Sequence, residues 1–173
     1  LPSSDETAYG SLTIRMYKDG MAHLLTGAYG SYKINAQAGQ RATVEFAFTG
    51  FYNAPNDVPL PANPVFETTL PQQCELGRLH LDGFGVASPI GNICAVDTFS
   101  YDIGNKIDPR MSINAADGFT GIRVTERSST GGVDPEATLV GQQDFWSKLA
   151  NGRQMPFGMR VGTATGNMWA IHA

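Results

Sequence analysis

Hydrophobic and polar positions alternate with a period of two along most of this chain. In residues 12–17, Leu12, Ile14 and Met16 face one way while Thr13, Arg15 and Tyr17 face the other, the pattern of a half-buried strand. Asp19-Gly20 supplies the positive φ angles of a tight hairpin turn, and residues 21–26 return as the partner strand. Residues 31–36 predict a third strand, with Tyr32, Ile34 and Ala36 alternating against Lys33 and Asn35. After the turn Ala38-Gly39-Gln40, residues 41–52 give the clearest strand. Val44, Phe46 and Phe48 lie on one face, and Thr43, Glu45 and Thr49 on the other. Four strands joined by short turns make an antiparallel meander, not a βαβ unit.

Residues 53–73 break the pattern. Pro55, Pro59, Pro61, Pro64 and Pro71 remove backbone donors and forbid a regular central strand, so a long functional loop is expected here. Strands resume over residues 76–81 and 93–103. The run from Ser100 to Asn114 starts extended, breaks at Gly104-Asn105 and becomes extended again before the turn Ala115-Ala-Asp-Gly118. A strand over 119–126 and a turn cluster over 128–132 follow. Residues 142–152 predict the one helix: Phe145, Trp146 and Leu149 share a face, and Asn151-Gly152 stops it. A last hairpin surrounds residues 162–166. The expected fold is therefore mainly β, an antiparallel β-sandwich or partly open barrel with one short flanking helix, in a single domain spanning 1–173. Leu12, Ile14, Val44, Phe46, Phe48, Ile122 and Val124 are its expected core, with the apolar helix face packed on the sheet.

Composition narrows the function. A chain of 173 residues is long enough to bury a core without staples. Charged residues are 16% of the total, against a usual value of about 25%. Shortage of charge fits a surface meant to be covered by a partner, and equally a compact secreted β domain. The net charge of −4 and the absence of any basic run argue against specific nucleic-acid binding, which needs clustered Lys and Arg. Cys74 and Cys94 have no zinc-site spacing. A bridge between them would close a loop of about twenty residues, whereas free thiols are expected in a reducing cytoplasm. No run reaches the roughly 20 apolar residues that span a bilayer, so no membrane partner is expected. The opening Leu1-Pro2 in place of Met leads us to expect a piece of a longer protein.

Searching for chemistry yields little. No nucleophile elbow, zinc-protease helix, phosphate-binding loop or dinucleotide fingerprint occurs. His23, His80 and His172 are far apart in sequence and sit on strands, where interface or surface roles outweigh a metal site. Asp97, Asp102 and Asp108 lack the spacing of a calcium loop. No catalytic residue, metal or cofactor is expected. Tyr29, Tyr32, Phe51, Tyr52 and Trp169 would suit the stacking platform of a carbohydrate-binding module, although most lie in alternating runs where sheet packing is the commoner role.

Several segments, taken in order, resemble the tail tube (major tail) protein of long-tailed bacteriophages. They are Gly27-Ala-Tyr-Gly-Ser-Tyr32, Val44-Glu-Phe-Ala-Phe-Thr-Gly-Phe-Tyr52, Tyr101-Asp-Ile-Gly-Asn105, Thr125-Glu-Arg127, Asp134-Pro-Glu136, Asp144-Phe-Trp146 and Val161-Gly-Thr-Ala-Thr-Gly-Asn167. The pieces are short, and their order and spacing carry the resemblance. It implies a β domain with a flanking helix that joins its neighbours strand to strand in a ring. Such rings, built as trimers of two-domain chains or as hexamers, stack into a tube that conducts DNA without binding it specifically. It also implies a virion location after assembly in the host cytoplasm, with other tail proteins as further partners. The expected subunit contacts are the loop, through Pro55, Asp57, Pro59, Pro61 and Pro64, and the turn 104–110, through Lys106, Asp108 and Arg110.

Overall fold

The structure, a computed structural model, describes residues 10–75, 77–81, 95–137, 139–141, 144–152, 157–162 and 165–172. Among them the chain is mainly β, with antiparallel sheets, one short helix and no closed barrel. In chain order the elements are β1 (Leu12–Lys18), β2 (Met21–Gln37), β3 (Thr43–Asp57), β4 (Arg78–Leu81), β5 (Val96–Asp102), β6 (Asn105–Met111), β7 (Phe119–Arg127), β8 (Thr130–Pro135), α1 (Phe145–Ala150), β9 (Phe157–Val161) and β10 (Trp169–His172). One sheet has the order β1-β2-β5-β8, with β3 also paired to β2. A second has the order β10-β9-β4, and β6 pairs with β7. Two compact units share these elements. Leu1–Lys33, Val44–Glu67 and Tyr101–Thr130 make the first; Ile34–Thr43, Thr68–Ser100 and Gly131–Ala173 make the second.

The first unit is organised by the ribbon of β2 and β3. Asp19 (φ 52°) and Gly20 (φ 81°) form the expected hairpin turn between β1 and β2. The two strands expected at 21–26 and 31–36 are one strand of 17 residues. The reason is a bulge. Leu12 pairs with Ala28 but Ile14 pairs with Leu25, so β2 carries an extra residue there, and Gly27 absorbs it at φ 57°. Gly27 and Gly30 look like strand breakers in sequence, yet each makes room for a ring of β3. A β-carbon at Gly27 would sit 3.2 Å from the Phe51 ring, and one at Gly30 would sit 2.5 Å from that of Phe48. Asn53 then ties the ribbon internally, its Nδ2 donating to the Leu24 carbonyl, the Thr26 hydroxyl and the Phe51 carbonyl. Phe119 of the β6–β7 hairpin stacks on Phe51 with centroids 5.0 Å apart, a sandwich-like contact, and Ile122 is buried.

In the second unit the buried anchors are Phe99 and Val161, 2% and 1% exposed. Trp169 tilts against Phe99 at 6.3 Å. Strand β9 takes β4 on one side and β10 on the other, so His80 and His172 both stand opposite Gly158 in register. Cys74 carries a free thiol and fixes the end of the β2–β3 turn through its backbone: its N–H donates to Gln40 and its carbonyl accepts from Gly39. Cys94 lies outside the described residues. Helix α1 begins at Asp144, whose carboxylate accepts from the Ser147 hydroxyl and N–H, and ends at Asn151-Gly152.

Several expectations need correction. Of the expected core, Ile122 is buried and Ile14 and Val124 are half-buried. Leu12, Val44, Phe46 and Phe48 are exposed, Phe46 by 64%. Their alternation is real, but no other described element covers that face. Trp146 and Leu149 are likewise exposed, and α1 buries no residue, so the helix does not pack on a sheet through its apolar face. Strand β3 runs on to Asp57, placing Pro55 within a strand, and Gly131-Gly132 lie in β8, not in a turn. Phe99→Ala should therefore cost roughly 3–5 kcal/mol in denaturant unfolding, whereas Phe46→Ala should cost about 1 kcal/mol in the isolated chain.

Candidate assembly surface

Residues that alternate in β3 bring their rings together on one face. Phe46 stacks on Phe48 with centroids 5.9 Å apart and an interplanar angle of 14°. Tyr32 on β2 meets Phe46 at 6.4 Å and Tyr101 on β5 at 6.4 Å. The result is an aromatic row across three strands of the first unit, open to solvent at its β3 end. Among the described residues β3 pairs with β2, and just ahead of it Arg41 bridges to Gln73.

The loop after β3 is similarly uncovered. Val58 closes the ribbon by donating its N–H to the Gly20 carbonyl, and regular structure stops there. Leu60, Val65, Phe66 and Leu70 are exposed, Val65 by 98%. Of the loop residues expected to form contacts, Pro55 and Asp57 belong to β3, while Pro59, Pro61 and Pro64 lie in the irregular stretch with exposed side chains. The prolines mark this loop in the sequence, and the exposed apolar residues lie between and after them.

The segment 104–110 is not a turn beyond Gly104-Asn105; it is strand β6, paired with β7 from Asn105 to Met111. Lys106 and Arg110 are exposed. Asp108 accepts a 2.7 Å hydrogen bond from the Thr125 hydroxyl across the hairpin, so it serves that pair of strands. Gly104 is the hinge between β5 and β6. Its φ is 61°, and a β-carbon there would collide with the Ser128 carbonyl. Asn105 locks the bend: its Nδ2 donates to the Gly30 carbonyl at 2.9 Å, and its Oδ1 accepts from Arg127 Nε at 2.8 Å.

Beside this hinge Asp102 accepts the Gly104 N–H at 2.8 Å and pairs with Lys33 at 3.1 Å. The Gly104 N–H, and then the Lys33 ammonium, hold its carboxyl below the usual carboxylate range. A depressed folded-state pKa gives stability that is present above the unfolded value of about 3.9 and is lost as pH falls through the folded value.

The remaining candidates do not converge. Among the described residues no group of three His, Cys, Asp or Glu side chains could hold a metal ion. No helix among them is long and apolar enough to cross a membrane. Of the candidates for a stacking platform, Phe51 is taken by Phe119, Trp169 leans on Phe99, and Tyr52 is exposed by 76%. The second unit holds an open cleft of about 510 Å³, lined by polar side chains such as Asn35, Gln40, Arg41 and Asp134 and, over more of its surface, by apolar groups that include Ala36, Phe99 and Val133. Comparison with protein-family models, with curated proteins and with solved structures returns no match.

Thermal melts between pH 7 and pH 3 should show the melting temperature falling at the acid end. Asp102→Asn should lower it at pH 7 and flatten the acid limb; an unchanged profile would mean that the Lys33–Asp102–Gly104 contacts contribute nothing.

Proposed function

We propose that this chain is a structural subunit that assembles with copies of itself into stacked rings, forming the tail tube of a long-tailed bacteriophage. It has no catalytic role in this reading, and DNA passes along the lumen without specific binding. One observation carries the proposal: large apolar side chains of the main sheet, Phe46 and Phe48 foremost, lie at the surface of the single chain. Exposed single apolar residues are normal, but contiguous rows of them mark contact surfaces. The ordered segments that resemble tail tube proteins supply the kind of assembly. The low charge fits surfaces buried between subunits, and the net charge of −4 suits a channel that must not retain DNA.

A second reading, a non-catalytic carbohydrate-binding module, draws on the cleft of the second unit, whose amides, Arg41 and Asp134 offer donors and acceptors to hydroxyl groups. It lacks an exposed aromatic floor, since Phe99 in that cleft is 2% exposed. Negative-stain electron microscopy of the concentrated protein should show rings or tubes with a central channel. A monomer retained on a polysaccharide column would favour the second reading instead.

The loop supplies a separate test. Its apolar side chains are exposed and its backbone pairs little, so ordering it without a cover costs conformational entropy. Deleting residues 60–68 should leave the melting temperature within a few degrees of the parent while abolishing stacking of rings. Unfolding on deletion would make the loop internal packing.

A further inference from the structure

The three-stranded sheet of the second unit is sorted by charge. Its register sets Arg78 on β4 opposite Arg160 on β9, and Arg160 opposite Ala170 on β10. The same register sets His80 and His172 on either side of Gly158. Residues directly opposite one another share a face, and so do residues two apart along a strand. One face therefore carries Arg78, His80, Gly158, Arg160, Ala170 and His172. The other carries only apolar residues, from Leu79 on β4 through Met159 and Val161 on β9 to Ile171 on β10. Val161 is 1% exposed and Trp169 tilts against Phe99, so the apolar face is the buried one. Ala170, on the basic face, is exposed.

That basic face has no acid of its own. The chain holds 16 acidic against 12 basic residues, yet β4, β9 and β10 contain no Asp or Glu. Arg78 and Arg160 are direct cross-strand neighbours, a placement in which like charges destabilise the pair of strands. Arg160 is half-buried, and among the described residues no ion pair or side-chain hydrogen bond takes up its guanidinium. Two opposed cations, one of them partly out of water and without a counter-ion, make an arrangement that an anion completes. The guanidinium fork matches the oxygens of a phosphoryl group, and two forks side by side suit one phosphate or a diphosphate. One row along, His80 and His172 add a ring N–H donor each even when neutral, and Gly158 puts no side chain between them. Retention of nucleic acid asks for more: a longer row of cations, on a chain whose net charge is not −4.

We propose that Arg78 and Arg160, with His80 and His172 beside them, form a binding site for a small phosphoryl anion on the open face of the β10-β9-β4 sheet. The site goes beyond the assembly reading and is tested apart from it. Thermal melts of the full chain in phosphate-free buffer are titrated with pyrophosphate, and with sodium chloride at matched ionic strength. Pyrophosphate at about ten times its dissociation constant should raise the melting temperature by roughly 2–4 °C beyond the chloride control. By isothermal titration calorimetry, Arg78→Gln with Arg160→Gln should weaken pyrophosphate binding at least tenfold. Arg160→Gln alone should keep the parent's circular dichroism and, without anion, melt no lower than the parent, because it relieves two opposed charges. Pyrophosphate acting no differently from chloride, or binding the double variant as it binds the parent, would overturn the proposal. So would a lower melting temperature for Arg160→Gln without anion, which would mean that the fold already satisfies this arginine. A duplex oligonucleotide held more tightly than pyrophosphate at the same salt would overturn it too, making the face a nucleic-acid surface instead.

Discussion

Everything in this molecule hangs on a ribbon that outruns its own supports. Strands β2 and β3 have 17 and 15 residues, so at about 3.3 Å per residue the ribbon is roughly 50 Å long. An isolated two-stranded ribbon is marginal in water and needs a further layer or further strands. On β2 these arrive piecemeal, with the seven-residue β1 and the seven-residue β5 as added strands. On β3 the inner half gains Phe119 as a cover, while Val44, Phe46 and Phe48 gain nothing. Half of the buried apolar residues of the described chain are alanines, with Ala22, Ala28 and Ala36 beside Phe99, Ile122 and Val161. A core of that kind stabilises the chain modestly, and much apolar area stays outside it.

The second constraint is the hinge at Gly104. A chain leaving β5 must turn sharply to start β6, and only a residue without a side chain fits beside the Ser128 carbonyl at positive φ. Once the bend is set, Asn105 spends its side chain on Gly30 and Arg127, and the Ser129 hydroxyl donates to Ile103. Asp102 and Lys33 close the same corner. Polar groups that would otherwise advertise a site are consumed in holding two strands to the ribbon. The polar groups of this run nearest the hinge are thus used within the fold.

Period-two alternation was enough to find most of the strands, and the Gly, Asp and Asn residues to find the Asp19-Gly20 turn, the hinge and the helix stop, because each depends on local backbone preference. It failed where a long-range contact decides. Gly27 and Gly30 suggest a break, and only the rings of Phe51 and Phe48 across the ribbon explain why the strand continues. Gly131-Gly132 suggest a turn, and pairing with β5 makes them strand. The face carrying Phe46 was legible, but its destination was not, since alternation says that a face is apolar and never what covers it. The same applies to Trp146 and Leu149 on α1. For the candidate surface the sequence pointed to prolines and charges, whereas the structure exposes the apolar residues between them.

A strand that carries exposed apolar rings must be kept from stacking into fibres. The segment from Val44 to Phe48 has high β-propensity and almost no charge, which is the composition of segments that stack into cross-β fibres. Glu45 sits in its middle. In a parallel, in-register stack every Glu45 would face another, a repulsion repeated along the fibre.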